Sequence, residues 1–193
     1  MLDKDPLPPA VPLIPASASF ETTKPEAGWW DIHVKIKEEA FENGRVVPWP
    51  KESSETRRHF ELSIYCSNVF DPIPDLHAYI YATARGATFT QWTVGQEGSY
   101  IILDTWDVGF RLAQLRFRQI SDEHSNPPLA DYSSPLNLLV DRFDFLEALE
   151  KAYCDFGRNG AWQLFGMYDF EDTAPPTDCL QIDSNIKTSV TGS

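Results

Sequence analysis

The chain has 193 residues and carries 29 Asp and Glu against 16 Lys and Arg, a formal net charge of -13. A surface of this sign repels nucleic acid and anionic membranes and attracts basic partners, and it also favours solubility. The hydrophobic content of 42%, which includes 12 Phe, 7 Tyr and 6 Trp, is enough for one buried core. We therefore expect one domain with tails, which binds neither nucleic acid nor membrane.

The compartment is predicted from the N-terminus and the cysteines. The first residues mix charges of both signs and prolines interrupt their only apolar stretch, so no signal peptide is expected, and no segment reaches the roughly 18 apolar residues of a membrane span. Cys66, Cys154 and Cys179 are an odd number without a CxxC pair, which argues against a disulfide framework. Cys154 is expected to act as a small buried hydrophobe. The sequence therefore predicts a cytoplasmic protein.

Composition divides the chain into three parts. Residues 1–27 are rich in Pro, Ala and Ser, which favours an extended arm over a packed element. Residues 28–168 hold the periodic segments and are predicted to form a single α+β domain. Residues 169–193 contain five carboxylates and only Lys187 in return, and are predicted to form an acidic C-terminal tail.

Strands are predicted wherever apolar and polar residues alternate. The predicted segments are "WWDIHVKIK", "HFELSIYCS", "ATFTQWTVG", "SYIILDTWDV", "AQLRFRQI" and "LNLLV". The intervening "NGRVVPWPKESSE" is predicted to be a turn and loop, and "GQEG" is a hairpin turn signal.

Two helices are predicted from their caps. In "DPIPDLHAYIYATARG", Asp71 caps the helix, Pro72 suits the first helical position and Gly86 suits the end. In "DRFDFLEALEKAYCDFG", Asp141 is the cap and Gly157 ends the helix. With the strands, this order predicts an α+β fold, in which a mostly antiparallel sheet carries both helices on one face.

A search for catalytic motifs finds no HExxH, CxxC, GxSxG, phosphate-binding loop or GxGxxG. The histidines lie far apart in sequence, so no enzyme activity, metal or cofactor is expected. The best acid–base candidate is "LDTWDVG", where Asp104 and Asp107 flank Trp106, because paired carboxylates beside an aromatic can have separated pKa values. The simpler interpretation is a strand running into a turn, where Asp is common.

Residues 58–168, approximately, resemble bacterial toxin immunity proteins, small acidic proteins paired with contact-dependent or type VI secreted toxins. The resemblance rests on "HFELSIYCSN" before a helix, on "SYIILDTWDVG" and "AQLRFRQI" as successive strands, and on "FDFLEALEKAYCDFGRNGAWQLFG". It implies a role in bacterial competition, by binding and occluding a cognate toxin without catalysis. Where related sequences have a short proline-aromatic ending, this chain has "MYDFEDTAPPTDCL" and a further tail.

The residues expected to bind such a toxin are aromatics beside carboxylates near the C-terminus, since a toxin with a basic surface would meet both. They are Trp162, Phe165, Tyr168, Asp169, Phe170, Glu171, Asp172 and Asp178. A solvated tail is the simpler interpretation of the same segment. Two other functions remain open: a structural or adaptor subunit that depends on the arm at residues 1–27, and a small-molecule-binding enzyme that uses Asp104 and Asp107.

Overall fold

The computed structural model describes residues 6–23, 29–50, 56–67, 72–96, 98–121 and 135–158. They form an α+β fold whose main sheet has seven strands in the order β5-β2-β1-β9-β8-β7-β6. All neighbours in this sheet are antiparallel except β1 and β9, which are parallel, so the predicted class and the mostly antiparallel sheet are confirmed. The elements are β1 (Ile14–Thr22), β2 (Trp29–Glu38), β3 (Ala40–Glu42), β4 (Arg45–Val47), β5 (His59–Ser67), α1 (Ile73–Ala84), β6 (Phe89–Gly95), β7 (Ser99–Gly109), β8 (Leu112–Ser121), β9 (Leu136–Asp141) and α2 (Arg142–Arg158).

The first strand differs from the expectation that residues 1–27 form an arm. Residues 14–22 form β1 at the centre of the sheet, between β2 and β9. Its inward positions Ala16 and Phe20 are buried, while Ser17 and Ser19 between them are exposed. This alternation is the strand pattern, but small residues and Pro15 obscure it in the sequence, because proline is normally excluded from central strands.

A small hairpin replaces part of the loop predicted after β2. Strands β3 and β4 pair across Asn43 and Gly44, which both have positive φ, at 51° and 76°. Positive φ at both central residues is typical of the two-residue hairpin turn that Asn-Gly favours. The sequence signal was therefore present, and the turn was predicted without its strands.

The two helices lie where the sequence predicts them. Asp141 caps α2, since its Oδ1 accepts the N–H groups of Phe143 at 2.9 Å and Asp144 at 3.2 Å. The helix continues through Arg158, one residue beyond the predicted end. In α1, Pro72 occupies the N-cap position and Ile73 the first helical position, so the helix begins one residue later than predicted and Asp71, which lies outside the described residues, is not its N-cap. Gly86 follows the helix with φ 76°. Neither of these helices has the length and apolarity required to cross a bilayer.

The core is a cluster of buried side chains from the strands and from both helices. Trp30, Ile32, Val34 and Ile36 are all 1% exposed or less, as the alternation of β2 predicts. Complete burial of such side chains contributes about 1.5–3 kcal/mol each. On the helix side, Phe145 of α2 meets Phe20 of β1 edge to face, with ring centroids 5.6 Å apart.

Two hydroxyl pairs join α1 to the sheet inside this core. Tyr79 is hydrogen-bonded to Thr105 of β7, and Thr83 lies 2.7 Å from Thr90 of β6, oxygen to oxygen. Burial raises the pKa of Tyr79 far above its usual value, so its hydroxyl stays neutral and available as a donor. These bonds fix the position of α1, because a buried hydroxyl without a partner is unfavourable.

The cysteines depart from the sequence expectation. Cys66 is buried in β5 and is not part of a disulfide. Cys154 of α2 is buried as expected, but it is disulfide-bonded, and the other cysteine of the bond lies outside the described residues. An odd number of cysteines therefore did not exclude a disulfide here.

Removing the Tyr79 hydroxyl tests the connection between α1 and the sheet. We expect Tyr79→Phe to lower the free energy of unfolding by about 1–2 kcal/mol, because Thr105 loses its buried partner. Tyr81→Phe is the matched control, since Tyr81 lies on the same helix and is 46% exposed; its effect should stay within about 0.5 kcal/mol. Urea unfolding measures both variants, and equal midpoints would contradict the proposed role of the bond.

Candidate interaction surface

The turn between β7 and β8 adopts an unfavourable backbone conformation. Gly109 and Leu112 are the last paired residues, so Phe110 and Arg111 alone form the loop. Both have positive φ, at 49° and 75°. A two-residue turn of this kind favours Asn-Gly, and the left-handed region costs an ordinary residue about 1–2 kcal/mol. Neither residue suits the conformation that it adopts.

The side chain at this turn also lacks a structural role. Phe110 is 95% exposed, and the neighbouring Val108 is 42% exposed. An aromatic ring in water gains none of the free energy that burial would supply. Strain at a turn and an exposed aromatic both reduce stability, so their coincidence makes this turn a candidate interaction site.

Polar contacts hold the turn against the start of α2. The backbone N–H of Arg142 donates to the carbonyl oxygen of Arg111 at 2.6 Å, and the Arg111 guanidinium contacts the Asp141 carboxylate at 3.1 Å. From the other side, Arg142 pairs with Asp107 at 2.6 Å. Both guanidinium groups lie over the ring of the buried Phe143, at 5.3 and 5.1 Å from its centroid. The backbone beneath Phe110 is therefore fixed, which reduces the entropy lost when a partner binds.

An acidic cleft adjoins the turn. It has a volume of about 130 Å³ and lies between β1, the segment from Val46 to Pro48, and the start of α2. Asp141 and Asp144 line it and also contact Arg111, at 3.1 and 4.0 Å, so these two ion pairs connect the cleft to the turn. The Asp144 side chain is 79% exposed. We call Val108, Phe110, Arg111, Asp141 and Asp144 the hairpin surface.

None of the residues predicted from sequence to bind a partner belongs to the hairpin surface. All eight are outside the described residues, and their role stays a prediction: Trp162, Phe165, Tyr168, Asp169, Phe170, Glu171, Asp172 and Asp178. Sequence reasoning missed the hairpin surface, although "DVGFRLAQ" contained a signal. An aromatic stands there between two predicted strands, at a position where turn residues are expected.

The candidate acid–base pair is not assembled. Residues three apart on a strand point to opposite faces, so Asp104 and Asp107 diverge. Asp104 is bound by Arg118 through two contacts of 2.7 and 3.0 Å, and it accepts a third hydrogen bond, from Gln91, at 2.7 Å. Asp107 pairs with Arg142 instead. Among the described residues, no three His, Cys, Asp or Glu side chains lie close enough together to hold a metal ion.

Comparison with known proteins adds little. No family model matches the chain, and no curated protein matches it. Among solved structures, it is similar to one described as "Crystal structures of trypanosoma bruciei MRP1/MRP2", at 10% sequence identity and a TM-score of 0.37, with 78% of this chain and 89% of that chain covered. A similarity at that TM-score carries no argument about fold or function.

Replacing Phe110 tests whether this residue lowers the stability of the fold. We expect Phe110→Asn to raise the free energy of unfolding by about 0.5–1 kcal/mol, because Asn tolerates the left-handed conformation. Phe41→Asn is the control, since Phe41 is 47% exposed but lies in the strand β3, where Asn is unfavourable. Thermal unfolding compares the two variants. A lower melting temperature for Phe110→Asn would mean that the ring stabilises the fold and would remove the main argument for a binding role.

Proposed function

We propose that the protein is an immunity-type inhibitor, which binds a cognate secreted bacterial toxin and occludes the toxin's active site without catalysis. The observation that carries this proposal is Phe110, exposed at a strained and braced turn in a chain of net charge -13. An inhibitor of this kind needs a rigid scaffold that presents an anchor residue to its partner, and the hairpin surface meets that requirement.

The charge of the chain supports the class of partner. A toxin that acts on nucleic acids or nucleotides needs a basic cleft, and an acidic inhibitor associates rapidly with such a cleft and competes with the substrate. Asp141 and Asp144 place carboxylates beside Phe110, although Arg111 partly compensates Asp141. The proposed contact is therefore an aromatic anchor in a pocket of the toxin, with the exposed carboxylate of Asp144 facing basic groups.

The described carboxylates favour binding over chemistry. Asp104, the best acid–base candidate of the sequence, is only 4% exposed at its side chain and is neutralised by Arg118. A general base must reach the proton that it abstracts, and a carboxylate already engaged by a guanidinium and an amide is poorly placed to do so. This supports a non-catalytic protein over the enzyme that uses Asp104 and Asp107.

We also infer that both helices cover one face of the sheet, as the sequence predicts. Thr105 contacts α1 and pairs with Leu115 of β8. Leu115 pairs with Leu138 of β9, and Leu138 pairs with Ile14 of β1, so these four side chains lie on the same face of the sheet. Ile14 and Phe20, which contacts α2, are six positions apart on β1 and so point to the same side. On this arrangement the helices form a rigid backing for the sheet, and the hairpin surface lies at the end of β7.

The first test identifies the partner and then measures its dependence on Phe110. A tagged pull-down from the native cell should recover, at low salt, one stoichiometric protein with a basic domain. At high salt its binding should be weaker, so less of it should be recovered. Phe110→Asn should then lower the affinity by about 30-fold or more, as loss of a hot-spot residue does, whereas Phe41→Asn should change it by less than about threefold. Recovery of a multi-subunit assembly would favour the adaptor function instead.

Charge reversal tests the predicted contribution of the tail separately. Replacing Asp169, Glu171 and Asp172 together by Lys should slow association and reduce its salt dependence, because these carboxylates would steer the encounter. Matched reversal of Glu42, Glu61 and Asp75, which lie in β3, β5 and α1, controls for total charge. Equal loss in both variants would show that only net charge matters, and an unchanged affinity would exclude the tail from the interface.

A further inference from the structure

A row of three side chains crosses the sheet on the face opposite to the one that carries the core residues Leu103 and Leu115. Phe89, Trp106 and Gln114 are direct cross-strand partners on β6, β7 and β8. Trp106 and Gln114 are each 4% exposed, and the rings of Phe89 and Trp106 lie 5.3 Å apart. We call these three residues the tryptophan row. It presents two buried donors, an indole N–H and a carboxamide, beside an aromatic platform.

The N-terminal segment occupies both donors. The indole Nε1 of Trp106 donates to the carbonyl oxygen of Pro6 at 2.7 Å, and Nε2 of Gln114 donates to the carbonyl oxygen of Pro9 at 3.2 Å. The two carbonyl groups are three residues apart, within Pro6-Leu7-Pro8-Pro9. Three residues make one turn of a polyproline II helix, so such carbonyls point in the same direction about 9 Å apart.

The path of the segment follows from the sheet. Pro15 of β1 pairs with Leu139 of β9, and Leu139 pairs with Gln114, so the tryptophan row continues to the place where β1 begins. Followed from Pro15 towards the N-terminus, the chain first contacts Gln114 through Pro9 and then Trp106 through Pro6. It therefore crosses successive strands, which are about 4.8 Å apart. Residues 6–9 lie on this row as a peptide ligand lies on a receptor.

The contact is made by the backbone of the segment. Leu7 is 87% exposed and Val11 is 40% exposed, so these apolar side chains add little buried surface. Each of the two hydrogen bonds contributes about 0.5–1.5 kcal/mol net, and ordering the segment opposes them. Proline reduces that entropy because its φ is fixed in both states. A contact of this kind is weak enough to exchange.

We propose that the tryptophan row is a recognition site for a proline-rich segment of a partner protein, and that residues 6–9 occupy it in the same chain as a competing ligand. Grooves that bind PxxP segments combine an aromatic surface with donors to the carbonyl oxygens of a preformed extended chain. The tryptophan row supplies the aromatic surface and the donors. The proposal is independent of the inhibitor function and of Phe110, which lies beyond the row at the tip of the hairpin.

A second observation indicates that residues 6–9 do not use the whole site. The next row across the sheet contains Arg116 of β8 and Asn137 of β9, which are direct cross-strand partners. Arg116 Nε and Asn137 Oδ1 are buried, and neither has a hydrogen-bond partner within the described part of the chain. A partner segment that also uncovered these two atoms would find a further donor and acceptor there. Tethering nevertheless gives the resident segment a high effective concentration, which sets the affinity that a partner must exceed.

The experiment uses the full-length chain and a synthetic peptide with the sequence of residues 5–13, "DPLPPAVPL". The arm variant carries Pro6→Ser, Pro8→Ser, Pro9→Ser and Pro12→Ser, which loosen the resident segment and leave every strand intact. A peptide with serine in place of its prolines is the ligand control. The readout is the indole ¹⁵N–¹H resonance of Trp106, identified by its loss in Trp106→Phe, with fluorescence anisotropy of labelled peptide for affinity.

We expect the arm variant to bind the peptide at least about tenfold more tightly than the wild-type chain, with a saturable shift of the Trp106 resonance and no response to the serine peptide. Gln114→Met in the arm variant should weaken binding at least about fivefold, since it removes one donor without adding charge. Trp106→Phe removes the indole donor and should weaken binding in the same way. Each variant tests one donor, so if one of them fails to fold, the other still tests the proposal.

Three outcomes would overturn the proposal. They are equal affinity of the wild-type chain and the arm variant, binding that survives loss of both donors, and equal binding of the serine peptide. A concentration-dependent dimer of the wild-type chain, lost in Gln114→Met, would place a second copy's residues 6–9 on the row and contradict the assignment to a different protein. None of these results depends on recovery of a toxin, so this proposal and the inhibitor function can fail separately.

Discussion

The sheet depends on one short parallel contact between β1 and β9. Ile14 pairs with Leu138 and Pro15 pairs with Leu139, and these two pairs connect an antiparallel half, β5-β2-β1, to the antiparallel half β9-β8-β7-β6. The register must be correct, since a slip by one residue would turn every side chain of β1 to the other face. Packing of Phe145 on Phe20 secures the contact, because α2 follows β9 directly and lies against β1.

Strand β9, which makes this contact with β1, also influences where both proposed binding sites lie. The segment before Ile14 leaves the sheet beside Leu138, one position from Leu139, at which the tryptophan row reaches β9, and its residues Pro6 and Pro9 contact that row. At the other end of β9, Asp141 closes the strand, caps α2 and holds Arg111. The braced turn under Phe110 is therefore a consequence of how β9 passes into α2. Strand β9 therefore contributes to the geometry of both surfaces, through its pairing with β1 and through its passage into α2.

Sequence reasoning recovered the elements whose physical signal is local. Alternation predicted β2, and capping by Asp141 predicted α2, because pleat and cap depend only on nearby residues. It missed β1, whose inward residues are mostly small and whose partner β9 lies more than 100 positions away. No local pattern contains a parallel pairing over such a separation. A period-two pattern would have shown that Asp104 and Asp107 point apart, so that error lay in the interpretation.

The candidate sites were harder to predict, for two different physical reasons. Strain at Phe110 is a property of φ, and the sequence shows only an aromatic where a turn residue is expected. The tryptophan row requires Trp106 and Gln114 to meet across a hairpin, and Pro6 to return from about 100 residues away. The Pro-rich composition of residues 1–27 predicted an extended chain, but it did not indicate what residues 6–9 would contact.

Net charge and strain differ in how much they say about function. An acidic surface has a sufficient explanation in solubility, so the charge of -13 does not by itself distinguish an inhibitor from any other soluble domain. Phe110 has no such explanation, since its backbone conformation is unfavourable and its ring is in water. Local choices in a protein normally agree with the fold, and exceptions concentrate at functional sites. The hairpin surface is therefore a stronger guide to function than the acidity that first suggested a basic partner.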